Sequence, residues 1–464
     1  MKTTTRVVLP VLLAFLPFLR ASAATSAVTE ARFGNGMKVL LLEDHKLPTI
    51  YFGLMFRAAG AAMDPPGKTG VASLTAELLR EGTKTRSSKD ISQAVDFMGA
   101  SLGAGADHDR ATASAAGLTR DTPAILDLLA DVVLRPAFKA EDFDRVKGLR
   151  LAALQQQLDD ADGLARRAFN RFLFGKHAYA LPAEGTVKTV TAITREDVAA
   201  FHAAHYRADN AVLVIAGDFT AAQVLPLVES ALSTFKPGTA EPPVPAPGAP
   251  ATAARILLLD KPDLTQAKMT FGHLGIARTH PDYYPALVMN GVLGGAGFLS
   301  RLTMTVRTKM GLTYGIGSYW DARVAGGGFA VSCSTRTEQA VEAIRATVAE
   351  MDRLAGGGAT PRELADVQGY LAGAFSLAIE TPEAQAGYLL SAELFGLGTD
   401  FLRTHPQKIR EVTAKDVSRA AGALIGSGLL RYVVVGKAEA LKEPLSQLGT
   451  VELRAHKDWA DEAQ

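Results

Sequence analysis

The second half of this chain repeats the first, and the repeat limits the fold more than any other feature. Three segments return in the same order: Leu118-Thr-Arg-Asp-Thr-Pro-Ala as Ser334-Thr-Arg-Thr-Glu-Gln-Ala, Val190-Thr-Ala-Ile-Thr-Arg-Glu-Asp-Val198 as Val412-Thr-Ala-Lys-Asp-Val417, and Leu213-Val-Ile-Ala-Gly217 as Val433-Val-Val-Gly436. Chance similarity between strand–turn–helix units is the alternative, but the shared order favours two copies of one domain.

A proline-rich segment separates the two copies. Six prolines lie between residues 236 and 253 among Ala, Gly and Thr, a composition typical of a semi-rigid linker. The chain has 464 residues and is 48% hydrophobic, which is enough for two cores. We therefore predict an N-terminal domain over residues 24–236, a linker over 237–253 and a C-terminal domain over 254–464.

Strands and helices are mixed along each copy without strict alternation. In the first copy, residues 36–43, 50–57, 111–118 and 211–216 have strand patterns. Helical patterns cover residues 70–82, 91–98, 123–133, 196–205 and a long stretch from 141 to 174 that breaks near 159–163. This mixture predicts an α+β fold in which each domain packs helices on an antiparallel-rich sheet.

The first residues have the pattern of an export signal. Lys2 and Arg6 precede an apolar run from Val7 to Phe18, and Ala21-Ser22-Ala23 is a small-residue cleavage site. The run is shorter than the roughly 20 residues that span a bilayer, and no later stretch is long and apolar enough. We predict a signal peptide over residues 1–23 and a periplasmic or secreted protein, with an uncleaved anchor as the alternative.

Charge and cysteine content exclude some classes of function. The chain has 49 basic and 48 acidic residues and no basic run, so nucleic acid is not an expected partner. Cys333 is its only cysteine, which rules out an intrachain disulfide and a cysteine-based metal site.

Motifs along the whole mature chain carry a family resemblance. They are Gly70-Val-Ala-Ser-Leu-Thr-Ala-Glu-Leu-Leu-Arg-Glu-Gly-Thr83, His177-Ala-Tyr-Ala-Leu-Pro-Ala-Glu-Gly185, Tyr206-Arg-Ala-Asp-Asn210, Val214-Ile-Ala-Gly-Asp218, Asp260-Lys-Pro-Asp-Leu-Thr-Gln266, Pro281-Asp-Tyr-Tyr284, Leu293-Gly-Gly-Ala-Gly-Phe-Leu-Ser-Arg301 and Val306-Arg-Thr-Lys-Met-Gly-Leu-Thr-Tyr314. Each is weak alone. In this order they resemble the pitrilysin family, which includes insulinase and mitochondrial processing peptidase. The resemblance implies two homologous domains that form half of a clamshell.

The zinc-binding helix of that family is altered in this sequence. The family pattern places two zinc-binding histidines four residues apart and a general base beside the second, and a distal glutamate completes the site. Here those helix positions hold Ser73, Ala76 and Glu77, and the distal position falls near Leu154, where there is no carboxylate. We therefore predict no metal or other cofactor in this chain and no hydrolysis by this chain alone.

Other polar groups have simpler explanations than a second site. Ser73 and Glu77 share a helix face, but a serine nucleophile needs a base within reach, so a polar face is favoured. His202 and His205 lack an obvious third ligand, and a surface helix is favoured. His108 is expected in a solvated loop. The Gly294–Gly297 segment lacks the Gly-Lys-Ser/Thr ending of a phosphate loop, so it is expected to form a tight turn before Ser300-Arg301.

Arg307 and Tyr314 are the candidate functional residues. In heterodimeric bacterial members of this family, a subunit without zinc contributes an Arg and a Tyr to its partner's active site. The resemblance implies the same roles for Arg307 and Tyr314. A guanidinium can hold peptide carbonyls, and a phenol can stabilise an oxyanion. The expected partners are a zinc-bearing homologous subunit and a peptide or unfolded protein. Two alternatives stay open: the two residues are structural, or the chain is a peptide-binding scaffold without a peptidase role.

Overall fold

The computed structural model describes residues 27–238, 244–248 and 255–461. The predicted signal peptide at residues 1–23 lies outside these ranges, as does most of the predicted linker. None of the helices within the described ranges is long and apolar enough to cross a membrane.

The first half builds a mixed sheet with helices packed on it. Its strands are β1 (Thr29–Arg32), β2 (Lys38–Glu43), β3 (Thr49–Arg57), β4 (Ser101–Ala106), β5 (Arg110–Leu118) and β6 (Ala211–Gly217). Its helices are α1 (Val71–Leu78), α2 (Ser88–Met98), α3 (Thr122–Leu134), α4 (Ala140–Gln156), α5 (Ala161–Phe174), α6 (Val187–Ala192), α7 (Arg195–His205) and α8 (Ala221–Ala231). The order is β1-β2-β6-β3-β5-β4, and only β2 and β6 run parallel.

The second half builds a sheet of the same kind. Its strands are β7 (Ile256–Asp260), β8 (Gln266–Leu274), β9 (Thr313–Asp321), β10 (Gly328–Arg336), β11 (Arg431–Gly436) and β12 (Val451–Ala455). Its helices are α9 (Tyr283–Asn290), α10 (Ala340–Gly357), α11 (Pro361–Ala378), α12 (Pro382–Leu394), α13 (Phe401–Glu411), α14 (Ala414–Leu424), α15 (Ala438–Ser446) and α16 (His456–Asp461). The order is β12-β7-β11-β8-β10-β9, and β7 runs parallel to both β11 and β12.

The two sheets confirm the predicted α+β class with two homologous units. Strands β2, β6, β3, β5 and β4 have counterparts β7, β11, β8, β10 and β9 in the same order. A capping box of the same type starts the helix before each central strand: Thr194 with Asp197 on α7, and Thr413 with Asp416 on α14. The halves differ at one edge, where β1 is antiparallel to β2 but β12 is parallel to β7.

Two details of the sequence prediction were wrong. The structure pairs Leu118 with Thr49 and Arg336 with Gln266, so Leu118 corresponds to Arg336 and not to Ser334. Strand β4 was not predicted, because its sequence Ser-Leu-Gly-Ala-Gly-Ala lacks the β-branched and aromatic residues typical of strands. Pairing with β5 holds it in the sheet.

Each sheet packs helices of its own half on one face and one or two helices of the other half on its second face. On the first sheet, strands β2, β3 and β6 pack against α12 and α13, through Leu40, Leu42, Met55, Val212, Val214, Leu389, Leu390, Phe401 and Leu402. On the second sheet, β7 and β11 pack against α5, through Leu257, Leu259, Val433, Val435, Leu164, Ala168, Phe169 and Phe172. The halves therefore exchange equivalent helices, since α5 and α12 occupy corresponding places in the repeat.

This exchange explains the apolar runs in the central strands. Every residue of β6 is buried, because both of its faces are covered. Alternating polar residues appear only where one face of a strand meets water.

Candidate functional site

Helix α1 carries the altered zinc motif and is held tightly at its start. Gly70 precedes it with φ +109°, a left-handed conformation that favours glycine, and a Cβ there would lie 2.9 Å from the carbonyl oxygen of Glu184. Asp64 accepts the N–H groups of Gly70 at 2.6 Å and Ala72 at 2.8 Å. Burial raises the pKa of Asp64 to about 7, which these two hydrogen bonds offset only in part.

A guanidinium from α4 fills the space beside the altered motif. Arg150 donates to Ser73 Oγ from Nη1 at 3.1 Å and from Nη2 at 3.2 Å, and Nη2 also forms an ion pair with Glu77 Oε1. Nη1 reaches the carbonyl oxygen of Glu184 at 3.1 Å. Arg150 therefore bridges the two positions that correspond to the family's histidines. The favoured polar-face interpretation is wrong in one respect, since Ser73 is buried.

The distal position near Leu154 lies in the core, one helical turn beyond Arg150 on α4. Leu154 is 6% exposed and packs in the core of the first half, whereas Arg150 on the same helix faces Ser73 and Glu77. Ala76 is fully buried. A hydroxyl, a methyl group and a carboxylate already paired with a guanidinium do not suit Zn²⁺, which prefers neutral imidazole and free carboxylate ligands. Across the described residues, no three His, Cys, Asp or Glu side chains are grouped to hold a metal.

Rebuilding the zinc site is expected to require removal of Arg150. We expect Ser73→His with Ala76→Glu and Glu77→His to bind Zn²⁺ at least 100-fold more weakly than the same protein with Arg150→Glu added. The retained guanidinium repels a divalent cation, and the added glutamate supplies a third ligand. Titration calorimetry on chelator-treated protein measures this, with Arg150→Glu alone as the control. Equal affinity in the two rebuilt proteins would show that Arg150 does not occupy the metal position.

Arg307 lies in the π-helical segment Thr303–Lys309 of the second half. Its guanidinium carbon lies 4.8 Å from the centroid of the Phe298 ring, a cation–π contact. Among the described residues no carboxylate forms an ion pair with Arg307, so its charge stays available. Gly311, with φ +64°, then turns the chain into β9, where Tyr314 lies.

Tyr314 is turned outward by a β-bulge. Thr313 pairs with Thr335 and Gly315 with Ser334, so Tyr314 is the extra residue on β9. The Thr313 hydroxyl holds this bulge: it contacts Ser334 O at 2.7 Å and Gly315 O at 2.8 Å, and accepts the Gly315 N–H at 3.0 Å. Tyr314 is consequently 91% exposed. Bulges of this kind often direct a side chain toward a functional site.

Hydrogen bonds to the start of α11 hold the segment before Arg307 in place. The Arg301 guanidinium donates to both carboxylate oxygens of Glu363 at 2.7 and 2.9 Å, and to Gly358 O at 2.8 Å. Arg301 lowers the pKa of Glu363 to about 2, so the pair stays ionised at neutral pH. The Ser300 hydroxyl bonds to Gly297 O at 2.6 Å. A second π-helical segment, Gly291–Gly295, precedes this turn.

The two histidine candidates have structural roles. His202 Nε2 contacts Val133 O at 2.8 Å, its ring stacks on Tyr206, and burial lowers its pKa. His205 packs against Phe201 at 4.2 Å between ring centroids. Both rings are partly buried, so the surface-helix interpretation was incomplete, and neither arrangement resembles a metal pair.

His108 belongs to a polar cluster between the two halves. It was expected in solvent, but Nε2 contacts Leu181 O at 2.9 Å and burial lowers its pKa. Beside it, the buried Tyr179 hydroxyl bonds Asp109 and accepts the Ala325 N–H at 3.2 Å. Burial, together with the Asp109 carboxylate, raises the pKa of Tyr179.

A cleft of about 560 Å³ opens next to this cluster. Both halves line it, with the ends of β4 and β9 on its sides and α5 below. Its polar lining includes Asp107, Arg166, Asn170, Glu184, Tyr319 and Arg323. Sequence reasoning missed this cleft, although the Tyr179 motif marks one of its walls.

The altered motif and the Arg307–Tyr314 pair lie in different halves. No hydrogen bond or ion pair of the described residues joins them. In the first, Arg150 bonds the buried Ser73 and the partly exposed Glu77, whereas the second contains the half-buried Arg307 guanidinium and the exposed Tyr314 phenol.

Comparisons with known proteins agree along the chain. Two family profiles match: "Insulinase (Peptidase family M16)" over residues 38–186 and "Peptidase M16 inactive domain" over residues 192–371. A crystal structure of a peptidase M16 inactive domain from Pseudomonas fluorescens is 30% identical with a TM-score of 0.83, covering 88% of this chain and 98% of that one.

Curated relatives bear two kinds of name. An uncharacterized zinc protease of Streptomyces coelicolor is 27% identical over 415 residues, which is 88% of this chain and 89% of the relative. A non-peptidase homolog of Helicobacter pylori is 28% identical over 406 residues, which is 86% of this chain and 91% of the relative.

Proposed function

Because this chain belongs to the M16 (insulinase) peptidase family, we propose that it is the non-catalytic subunit of an exported, heterodimeric zinc endopeptidase. Its partner is a homologous subunit with an intact zinc site. The two subunits close around an extended or unfolded peptide, each forming half of the chamber.

One contrast carries this proposal. Arg150 fills the space beside Ser73 and Glu77, where the family holds its metal, while a bulge exposes Tyr314 and the half-buried Arg307 contacts Phe298 without a carboxylate partner among the described residues. The buried Thr313 hydroxyl stabilises a bulge that exposes the large Tyr314 side chain to solvent. Such an arrangement favours a role for Tyr314 in binding another molecule. The name "non-peptidase homolog" of the Helicobacter pylori relative adds support.

Arg307 and Tyr314 have complementary roles in peptide hydrolysis. The Arg307 guanidinium donates hydrogen bonds to carbonyl oxygens of the bound peptide and orients it. The Tyr314 phenol donates a hydrogen bond to the oxygen of the scissile carbonyl as negative charge develops there. Zinc in the partner supplies the activated water.

The sheets offer a way to hold the peptide backbone. Strands β4 and β9 are the terminal strands of their sheets, and in the described part of the chain neither pairs on its outer edge. An extended peptide binds such an edge through main-chain hydrogen bonds. Tyr314 lies at the start of β9, so a peptide there passes the phenol.

We expect this chain alone not to cleave an unstructured peptide, and a mixture with a zinc-bearing homologue from the same genome to cleave it. Addition of a chelator should abolish that cleavage, because the metal lies in the partner. Chromatography of the mixture measures association, and a fluorogenic peptide measures turnover.

The control is the same homologue with its own zinc ligands replaced by alanine, which should associate but not cleave. Chelator-sensitive cleavage by this chain alone would disprove the proposal. Full activity of the homologue without this chain would favour a scaffold role.

A further inference from the structure

Large apolar side chains are exposed together around Arg307. Phe298 is 64% exposed, and Leu299, Met304 and Met310 are also exposed, as is Tyr314. We call this region the 298–314 surface. Exposed apolar groups are common singly, but five within one short segment, one of them against the Arg307 guanidinium, indicate a binding surface.

The 298–314 segment carries cations and no carboxylate of its own. The sequence contains no Asp or Glu from residue 283 to residue 320. Three cations lie in the surface segment: Arg301, Arg307 and Lys309. Glu363 neutralises Arg301, whereas within the described ranges neither Arg307 nor Lys309 forms an ion pair. The segment therefore contributes a net positive charge to this surface, through Arg307 and Lys309.

Hydrogen bonds and an ion pair also hold the backbone beneath the 298–314 surface. The Arg301–Glu363 pair, the Ser300–Gly297 hydrogen bond and the Thr313 contacts fix its backbone from below. The stacked Phe298 ring limits the motion of the Arg307 side chain. A surface ordered in advance loses less conformational entropy on binding and so discriminates better between ligands.

We infer that the 298–314 surface selects peptides in which an apolar side chain is accompanied by a nearby carboxylate, and that it disfavours basic peptides. Phe298 and Met310 contact the apolar side chain, and Lys309 attracts the carboxylate while Arg307 holds the backbone. The inference rests on the proposed function, since it names the substrate class of that same site. Charge complementarity decides between acidic and basic peptides, because the surface segment has cations and no carboxylate.

Binding to the isolated full-length chain tests the inference without a partner. The probes are three fluorescein-labelled peptides of one length: one with Leu and Asp, one with Asp changed to Lys, and one with Leu changed to Ser. We expect the first to bind most tightly by fluorescence anisotropy and to weaken as salt rises. We expect Lys309→Glu to weaken it about fivefold and to favour the Lys peptide.

Matched variants distinguish a specific effect of the 298–314 surface from a general effect of changing an exposed side chain. Phe298→Ala should weaken the Leu–Asp peptide about tenfold. Phe97→Ala and Lys84→Glu, at exposed positions in the first half, should change binding less than twofold. Equal binding of the three peptides, or tighter binding of the Lys peptide, would overturn the inference. The inference would also be overturned if Phe298→Ala or Lys309→Glu abolished association with the zinc-bearing homologue and left peptide binding intact.

The two proposals fail differently. Preferred cleavage of basic peptides by the reconstituted pair would overturn the peptide class and leave the subunit role standing. Selective binding of the Leu–Asp peptide, with no cleavage beside any zinc-bearing homologue, would overturn the subunit role and leave the binding surface standing.

Discussion

Separate expression of the two halves, residues 24–238 and 254–464, is expected to give two chains that do not fold alone. Without α5, the second sheet exposes Leu257, Leu259, Val433 and Val435, and without α12 and α13 the first sheet exposes a similar set. Exposure of four such side chains costs about 6 kcal/mol or more. That loss is comparable to the whole stability of a typical domain, about 5–15 kcal/mol.

Mixing the two fragments should restore the fold, because each supplies the helix that the other lacks. Circular dichroism and cooperative thermal unfolding measure this outcome. The control is the full chain cut after folding at a protease site inserted in the 237–253 linker, which should stay folded. A cooperative unfolding transition for either isolated half would show that the exchanged helices are not required.

In the reconstituted pair, Arg307→Ala and Tyr314→Phe are each expected to lower kcat/KM about 10²–10³-fold. The phenylalanine removes one hydrogen bond to the developing oxyanion, so its effect should fall mainly on kcat. The alanine removes peptide orientation, so KM should rise as well. Steady-state kinetics with a saturating amount of the homologue provides both constants.

Controls on α11 match the two residues in type. Arg362→Ala and Tyr370→Phe change an exposed arginine and an exposed tyrosine and should leave the rate unchanged. Thr313→Val should lower kcat through loss of the bulge, Thr313→Ser should retain it, and Thr313→Val should add little to Tyr314→Phe. An unchanged rate in the Arg307 and Tyr314 variants would show that both residues are structural.

Local sequence patterns predicted much of the fold. The helical pattern over residues 196–205 and the apolar run over 211–216 depend on near neighbours, and the structure contains α7 and β6 at those places. Strand β4 was not readable, because its residues have little strand preference and only pairing with β5 creates it.

The sequence predicted which residue types occupy the candidate site but not which side chains contact one another there. The sequence alone shows that Ser73, Ala76 and Glu77 cannot replace two histidines and a base. It does not show that Arg150 faces them, because that contact depends on how α4 crosses α1. A shift of one helical turn separates Arg150 from the predicted position near Leu154.

The sequence by itself determined the α+β class and the internal repeat, which follow from periodicity and segment order along the chain. It also showed the altered zinc motif, which follows from the family resemblance of residues 70–83. Only the tertiary structure decided three further features: the exchange of α5 and α12, the guanidinium in the metal position, and the bulge that exposes Tyr314. Each of these brings together residues distant in sequence, and the packing of whole elements, not local preference, sets such contacts.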